Sequence, residues 1–336
     1  MKKVLLTLPN SIAGTLILKG YKQGFKSCGA FVMEKDAREL TIEDIKRFKP
    51  DIIFGYDYGF LFNAKDEVKE YFLNNADKYR FVHYFADEPD SKYACVNQPE
   101  LFEQYKSLCE KHNPETSTGG FYSFVWDRDF EKSLPRAKYL PLAVNHKAYA
   151  PSPDDFGQYL YDISFVGRPL GEKRQKILAA LVRTFGKKLN IFCYEKHFLQ
   201  SLDDMKERQL LDDFELDIYK SAYRGFLTTE REISRVYNNS KININITLQG
   251  ISGLNYRVFE VLASRGFLLT DDMADIERNF IVSKELEVYK NIDDLVDKTE
   301  FYLKYPEFAQ RIAFIGYADV IKNHTYTARA YEVLKK

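Results

Sequence analysis

The stretch Gly253-Leu254-Asn255-Tyr256-Arg257-Val258-Phe259-Glu260-Val261-Leu262-Ala263-Ser264-Arg265-Gly266-Phe267-Leu268-Leu269-Thr270 combines a glycine, an amphipathic helical period and an apolar strand. Gly253 lets the backbone approach a ligand closely, and the free N–H groups and positive dipole end of the helix that follows suit a phosphate. Leu254 and Asn255 lead into that helix. Arg257 and Glu260 lie three apart and share a face. A guanidinium can hold a diphosphate through a forked pair of hydrogen bonds, and a carboxylate one turn on can accept from ribose hydroxyls. Gly266 stops the helix, and Phe267 to Thr270 reads as a buried strand of a parallel sheet. The same residues also fit an ordinary αβ unit in which Arg257 and Glu260 pair with each other.

Outward from this stretch, short β-branched or aromatic runs alternate with helical periods, the pattern of βα units and parallel sheets. In the first 145 residues the spacing predicts strands over Lys3–Leu8, Phe31–Met33, Asp51–Gly55, Phe81–Phe85, Tyr122–Val125 and Ala137–Leu140. Helices are predicted over Leu16–Phe25, Ile42–Phe48, Lys65–Asn75 and Glu100–His112. Loops leave the carboxyl ends of the strands, the edge where open parallel sheets bind ligands. A polar stretch with Pro151, Ser152 and Pro153 reads as a hinge, and the alternation then restarts at Tyr161 to Gly167. A helix over Lys173–Thr184, a strand over Leu189–Cys193, a helix-rich region from Leu202 to Lys220, a helix over Glu230–Asn238 and a strand over Ile242–Ile246 follow. Three helical segments, from Asp293, Glu307 and Thr325, close the chain, and no internal repeat is visible.

The 336 residues suit two domains. Lys plus Arg and Asp plus Glu both number 49, so no chain-wide basic field exists and no nucleic-acid partner is expected. The 24 Tyr and 26 Phe are read as core. Cys28, Cys95, Cys109 and Cys193 are scattered without CxxC spacing, which fits reduced thiols in a cytoplasmic protein. His83, His112, His146, His197 and His324 form no ligand cluster, so no protein-built metal site is expected. Pro9, Asn10 and Ser11 interrupt the apolar run after Met1-Lys2-Lys3, so a first strand is read there and not a signal peptide.

Four blocks in order resemble the CgeB-like, glycosyltransferase-group-1-like proteins of the GT-B class: residues 162–168 (Asp162 to Arg168), 236–246 (Val236 to Ile246), 253–263 (Gly253 to Ala263) and 323–329 (Asn323 to Arg329). The lead-in Tyr139 to Asn145 matches as well, while the first 80 residues match in pattern only. The resemblance implies an α/β fold of two Rossmann-like domains with parallel sheets facing across a cleft. The acceptor-side domain is expected over 1–145, with a final helix over about 320–336 packing back on it, and the donor domain over 146–319. The implied activity is sugar transfer from a nucleotide-diphosphate sugar, as substrate and not cofactor, to a hydroxyl of a glycan, lipid-linked or protein acceptor in cell-surface glycan or glycoprotein assembly. Peripheral membrane association is compatible with that role.

By the same resemblance, Gly167, Arg168 and Lys173 form the turn and helix start that meet the donor diphosphate. Gly253, Leu254, Asn255, Arg257 and Glu260 form the donor loop and helix. Glu260 matches the second acid of a Glu-x7-Glu pattern, but Ser252 stands where the first acid belongs, so the stereochemistry of transfer stays open. If the enzyme inverts, a base is needed on the first domain, and Asp87, Glu88 and Asp90 in Phe-Ala-Asp-Glu-Pro-Asp (85–90) are the candidates. Turn and cap chemistry around Pro89 explains the same acids. His83 is read as a core histidine, Gln249 and Gly250 as sugar contacts, Tyr223 to Leu227 as base-pocket lining or a strand edge, and His324 and Arg329 as structural. A nucleotide-sugar-binding protein without transfer, and a nucleotide-sugar epimerase of the same architecture, remain alternatives.

Overall fold

The computed structural model describes residues 1–9, 11–58, 61, 63–89, 99–151, 159–248 and 251–336. Asp90, Cys95, Gln249 and Gly250 lie outside the described residues. The chain divides into two compact units: Met1–Ala143 with Gln249–Leu254 and His324–Lys336, and Val144–Leu248 with Asn255–Asn323.

The first unit holds strands β1 (Lys3–Leu8), β2 (Phe31–Asp36), β3 (Ile52–Tyr56), β4 (Arg80–Phe85), β5 (Gly120–Val125) and β6 (Lys138–Tyr139). Helices α1 (Ile12–Ser27), α2 (Ile42–Phe48), α3 (Asp66–Asn74) and α4 (Pro99–Lys111) connect them. Every pairing is parallel, in the order β2-β1-β3-β4-β5-β6. Val4, Leu5, Leu6, Ile52, Ile53 and Phe54 are fully buried, as expected of strands covered on both faces. Helix α2 begins with a reciprocal capping box between Thr41 and Asp44. Tyr21, Phe25, Phe54, Phe72, Phe81, Phe85 and Tyr105 are all under 2% exposed, which spends much of the aromatic content on the core. His83 is buried with them; its Nδ1 is 2.5 Å from the Tyr105 hydroxyl, and burial pushes its pKa down to about 3.

The second unit holds β7 (Tyr161–Val166), α5 (Glu172–Phe185), β8 (Leu189–Phe192), α6 (Glu195–Glu207), α7 (Asp213–Ser221), α8 (Glu230–Asn238), β9 (Ser240–Asn245), α9 (Tyr256–Ala263), β10 (Leu268–Asp271), α10 (Ile276–Asn279), β11 (Glu287–Tyr289), α11 (Ile292–Lys304) and α12 (Pro306–Asn323). The sheet is again all parallel, in the order β11-β10-β9-β7-β8. Its core runs from Ile163 and Phe165 through Ile242 and Ile244 to Leu269.

The expected strand at Ile242–Ile246 starts two residues earlier, at Ser240. That polar entry is buried because Ser240 Oγ lies 2.6 Å from Ser164 Oγ and donates to the Val236 carbonyl at 2.6 Å. The region from Leu202 to Lys220 resolves into α6 and α7. Residues 224–227 form no strand, and Tyr223 makes a single bridge to Ile191. The last helix, α13 (Tyr326–Leu334), belongs to the first unit. Buried Arg329 fastens it there, donating from Nε to the Pro141 carbonyl at 2.8 Å and from Nη2 to the Leu142 carbonyl at 3.1 Å, with His324 Nδ1 2.8 Å away.

Candidate functional site

In the second unit the chain leaves β7 to one side for β8 and later returns on the other side as β9, so the strand order reverses between β7 and β9. A doubly wound sheet opens its crevice at the carboxyl end of such a switch point. Gly167 and Arg168 follow β7 there, and Ile246 and Thr247 follow β9. Arg174, buried at the start of α5, ties the two exits together. Its Nη1 donates to the Arg168 carbonyl at 2.8 Å, and its Nε and Nη2 donate to the Ile246 carbonyl at 3.1 and 2.8 Å. Burial, then the neighbouring Arg257 and Arg168, pull the Arg174 pKa down to about 9.

Arg257 reaches the same place from α9. A Cβ on Gly167, whose φ is +150°, would stand 2.6 Å from Arg257 Nη2, so only glycine leaves room for the guanidinium. Arg257 Nη1 donates to Asn245 Oδ1 at 2.8 Å, and the N-cap Asn255 donates to the same oxygen at 3.1 Å while its own Oδ1 accepts from the Arg257 amide at 3.1 Å. Arg174 and Arg257 both lie against the Phe165 ring, 5.8 and 5.9 Å from its centroid. Lys173 donates to Asp271 Oδ2 at 2.5 Å and to the Thr247 carbonyl at 3.2 Å. Arg168 is exposed, and among the described residues its guanidinium has no hydrogen-bond partner. Three guanidiniums and one ammonium thus gather at the crevice, and Asp271, itself 4% exposed, is the acid bonded to Lys173.

Arg257 and Glu260 do not simply pair. The hydroxyl of Tyr237 hydrogen-bonds both, and the Tyr149 hydroxyl donates to Glu260 as well. Burial raises the Glu260 carboxyl above its usual range, opposed chiefly by the Tyr149 bond and the Arg257 charge. Burial and then the Glu260 charge push the Tyr149 and Tyr237 hydroxyls up. Beside Gly167 and Arg168 opens an apolar cavity of about 260 Å³, lined also by Phe192, Tyr194, His197, Phe226 and Leu227. Tyr194 and Phe226, both in its lining, stack with centroids 3.7 Å apart and planes 17° apart, although they are 50% and 45% exposed.

Gly253 and Leu254 sit in the first unit, and Gly253 makes its close approach to protein. A Cβ there would meet the Trp126 ring at 2.7 Å and Asp127 Cβ at 2.8 Å. The backbone N–H groups of Ile251, Ser252 and Gly253, ahead of the helix, all donate to Asp127 Oδ2, at 2.7, 3.0 and 2.9 Å. Leu254 is a core residue, 1% exposed.

Of the acids after β4, Asp87 is partly buried and Glu88 exposed. Tyr56, at the end of β3, donates from its hydroxyl to Asp87 Oδ2 at 3.0 Å. Burial raises the Asp87 pKa more than this bond lowers it. Among the described residues no group of three His, Cys, Asp or Glu could hold a metal ion, and Cys28, Cys109 and Cys193 are free thiols. No described helix is long and apolar enough to cross a membrane.

Asn245, Tyr149, Tyr237, Asp271 and Asp127 carry this geometry; Tyr237 and Asn245 stand in the 236–246 block with no role read for them there, and the other three carry no mark in the sequence. The partners that bring them to this geometry lie 10 to 126 residues away in the chain. The Asn-rich exit of β9, Asn243 and Asn245 in an otherwise apolar strand, is the one local signal that marks any of them.

A family model described as glycosyl transferase-like matches residues 173–335. The spore protein CgeB of Bacillus subtilis is 23% identical over 193 residues, covering 56% of this chain and 57% of that protein. The match thus spans little more than half the length of the curated relative. Among solved structures, a glycosyltransferase from Rickettsia africae superimposes with a TM-score of 0.65 at 11% identity over 99% of this chain and 97% of that one. Anabaena HepE in complex with UDP and glucose does so with a TM-score of 0.66 at 9% identity over 100% and 99%. At such identities the likeness establishes the fold. The family model, the curated relative and the fold agree: the chain is similar to glycosyl transferase-like and CgeB proteins over its second half, and it has the two-sheet parallel α/β fold of the glycosyltransferases on which it superimposes.

Proposed function

We propose that this chain moves a sugar from a nucleoside-diphosphate sugar to an acceptor hydroxyl. The observation that carries the reading is the gathering of Arg168, Arg174, Arg257 and Lys173 at the switch point of the second sheet, where Arg174 ties both strand exits together and Arg257 fills the space beside Gly167. Like charges so placed cost free energy in the empty site and gain most when an anion arrives. The diphosphate lies against Arg257 and the uncommitted Arg168, while Arg174 and Lys173 hold the two loop exits in place. The stacked Tyr194 and Phe226 beside the 260 Å³ cavity offer a shelf for a planar base. HepE, which shares the fold, was solved with UDP and glucose, and that supports a uridine donor here. In this reading side chains neutralise the leaving diphosphate, and no resident metal is required.

Asp87 is the base assigned to the acceptor hydroxyl. Its raised pKa makes it a better proton acceptor than an ordinary aspartate once ionised, and Tyr56 fixes the carboxylate orientation. The acceptor is a glycan, lipid-linked or protein hydroxyl. A thermal-shift panel of UDP, GDP, CDP and their sugar conjugates tests the donor assignment, because stabilisation follows ligand concentration over Kd. A shift with one nucleotide family supports it, and no shift with any of them refutes it.

A further inference from the structure

Asp127 follows β5 in the first unit and is completely buried, yet the proposed chemistry makes no direct use of it. Its carboxylate takes five hydrogen bonds. Oδ2 accepts from the amides of Ile251, Ser252 and Gly253 at 2.7, 3.0 and 2.9 Å, and Oδ1 accepts from Ser252 Oγ at 2.8 Å and from the Asp129 amide at 2.9 Å. Three consecutive N–H groups converging on one oxygen form an anion nest, and here the anion belongs to the protein. The Trp126 ring packs on Gly253 so closely that no side chain fits between them. From Gly253 the backbone runs through Leu254 into Asn255, the N-cap of α9, whose side chain fixes the Arg257 amide.

We infer that Asp127 is a positioning residue: by filling the nest at 251–253 it sets the path of the segment that launches α9, and so the placement of Arg257. The inference rests on the proposed donor site, because it assigns Asp127 an effect on nucleotide binding without contact to the nucleotide. A neutral amide can still offer one oxygen to the three N–H groups, whereas alanine leaves them without an acceptor. Asp127→Asn is therefore the conservative rescue of Asp127→Ala.

The experiment measures UDP affinity by calorimetry, melting temperature, and amide hydrogen exchange for wild type, Asp127→Ala, Asp127→Asn and Arg257→Ala. Asp127→Ala is expected to speed exchange of the Ser252 and Gly253 amides by about tenfold or more and to weaken UDP binding by about tenfold, with the rest of the exchange map unchanged. Asp127→Asn should recover most of both effects and keeps the question answerable if the alanine variant fails to fold. Faster exchange with unchanged UDP affinity overturns the inference, since Asp127 would then brace the loop and nothing more. Unchanged exchange overturns it too. Arg257→Ala separates the two readings: if that variant keeps UDP affinity the donor site is wrong, whatever Asp127 does. A wild-type chain that binds none of UDP, GDP and CDP overturns both.

Discussion

Arg257 Nη2 occupies the space that a side chain on Gly167 would take, although 90 positions separate them, and a Cβ there would lie only 2.6 Å away. Replacing Gly167 by alanine therefore acts twice, forcing a φ of +150° on an L side chain and displacing the guanidinium. The backbone term should cost about 1–3 kcal/mol of stability. UDP affinity should fall about tenfold, and adding Arg257→Ala should cost little more, because both changes remove one interaction. Calorimetry on the single and double variants checks this, and full additivity of the two losses would contradict it.

The Asp87 carboxyl, raised by burial, has to be ionised to accept a proton. Activity should therefore fall as pH drops through a value above the ordinary aspartate pKa of about 3.9. The Tyr56 hydroxyl bond favours the ionised form, so Tyr56→Phe should move this acidic limb of kcat/KM to higher pH. Asp87→Asn should lower kcat by at least about a hundredfold while leaving UDP affinity intact. A pH–rate profile that Tyr56→Phe leaves in place would remove Asp87 from the role.

His83 is buried as a neutral ring with a pKa of about 3, against 6.5 when exposed. A depressed folded pKa means its contribution is complete above pH 6.5 and is lost as pH falls toward 3, because the unfolded chain takes up the proton first. The limiting slope is about 1.4 kcal/mol per pH unit. Urea unfolding of wild type and His83→Gln between pH 7 and pH 4 should show a shallower loss in the variant. Parallel curves would contradict the assignment.

Much of this fold is legible in the sequence, and the misses share a cause. β1, α2 and α8 fall on the expected residues because apolar periodicity and capping residues such as Thr41 and Thr229 mark them locally. β11 was not expected: it has three residues and opens on Glu287, whose charge hides it from any apolar pattern. That carboxylate is buried because the Tyr302 hydroxyl, at 2.8 Å, and Lys298 satisfy it from α11. The site follows the same logic. Arg168, Arg257 and Glu260 stand in recognisable blocks, whereas the Tyr237 bridge, the Asp271 partner of Lys173 and the Asp127 nest arise from pairings that only the folded chain brings together.

Arg329 is buried in the first unit and donates to the carbonyls of Pro141 and Leu142. Arg329→Leu removes these donors and leaves buried acceptors unpaired, so the first unit should lose about 2–4 kcal/mol. Denaturant unfolding followed by hydrogen exchange in α13 measures this. A loss below about 0.5 kcal/mol, the range of ordinary surface substitutions, would show that α13 is held by apolar packing alone.

The central claim is that the guanidiniums around Gly167 bind the diphosphate of a nucleotide sugar. The most direct measurement is calorimetric titration of UDP into wild type, Arg257→Ala and the Arg168→Ala, Arg257→Ala double variant. The account predicts saturable binding to wild type, a loss of about tenfold or more in the single variant and no detectable binding in the double variant, with each variant still showing a cooperative melting transition. Equal UDP affinity in all three proteins would contradict it.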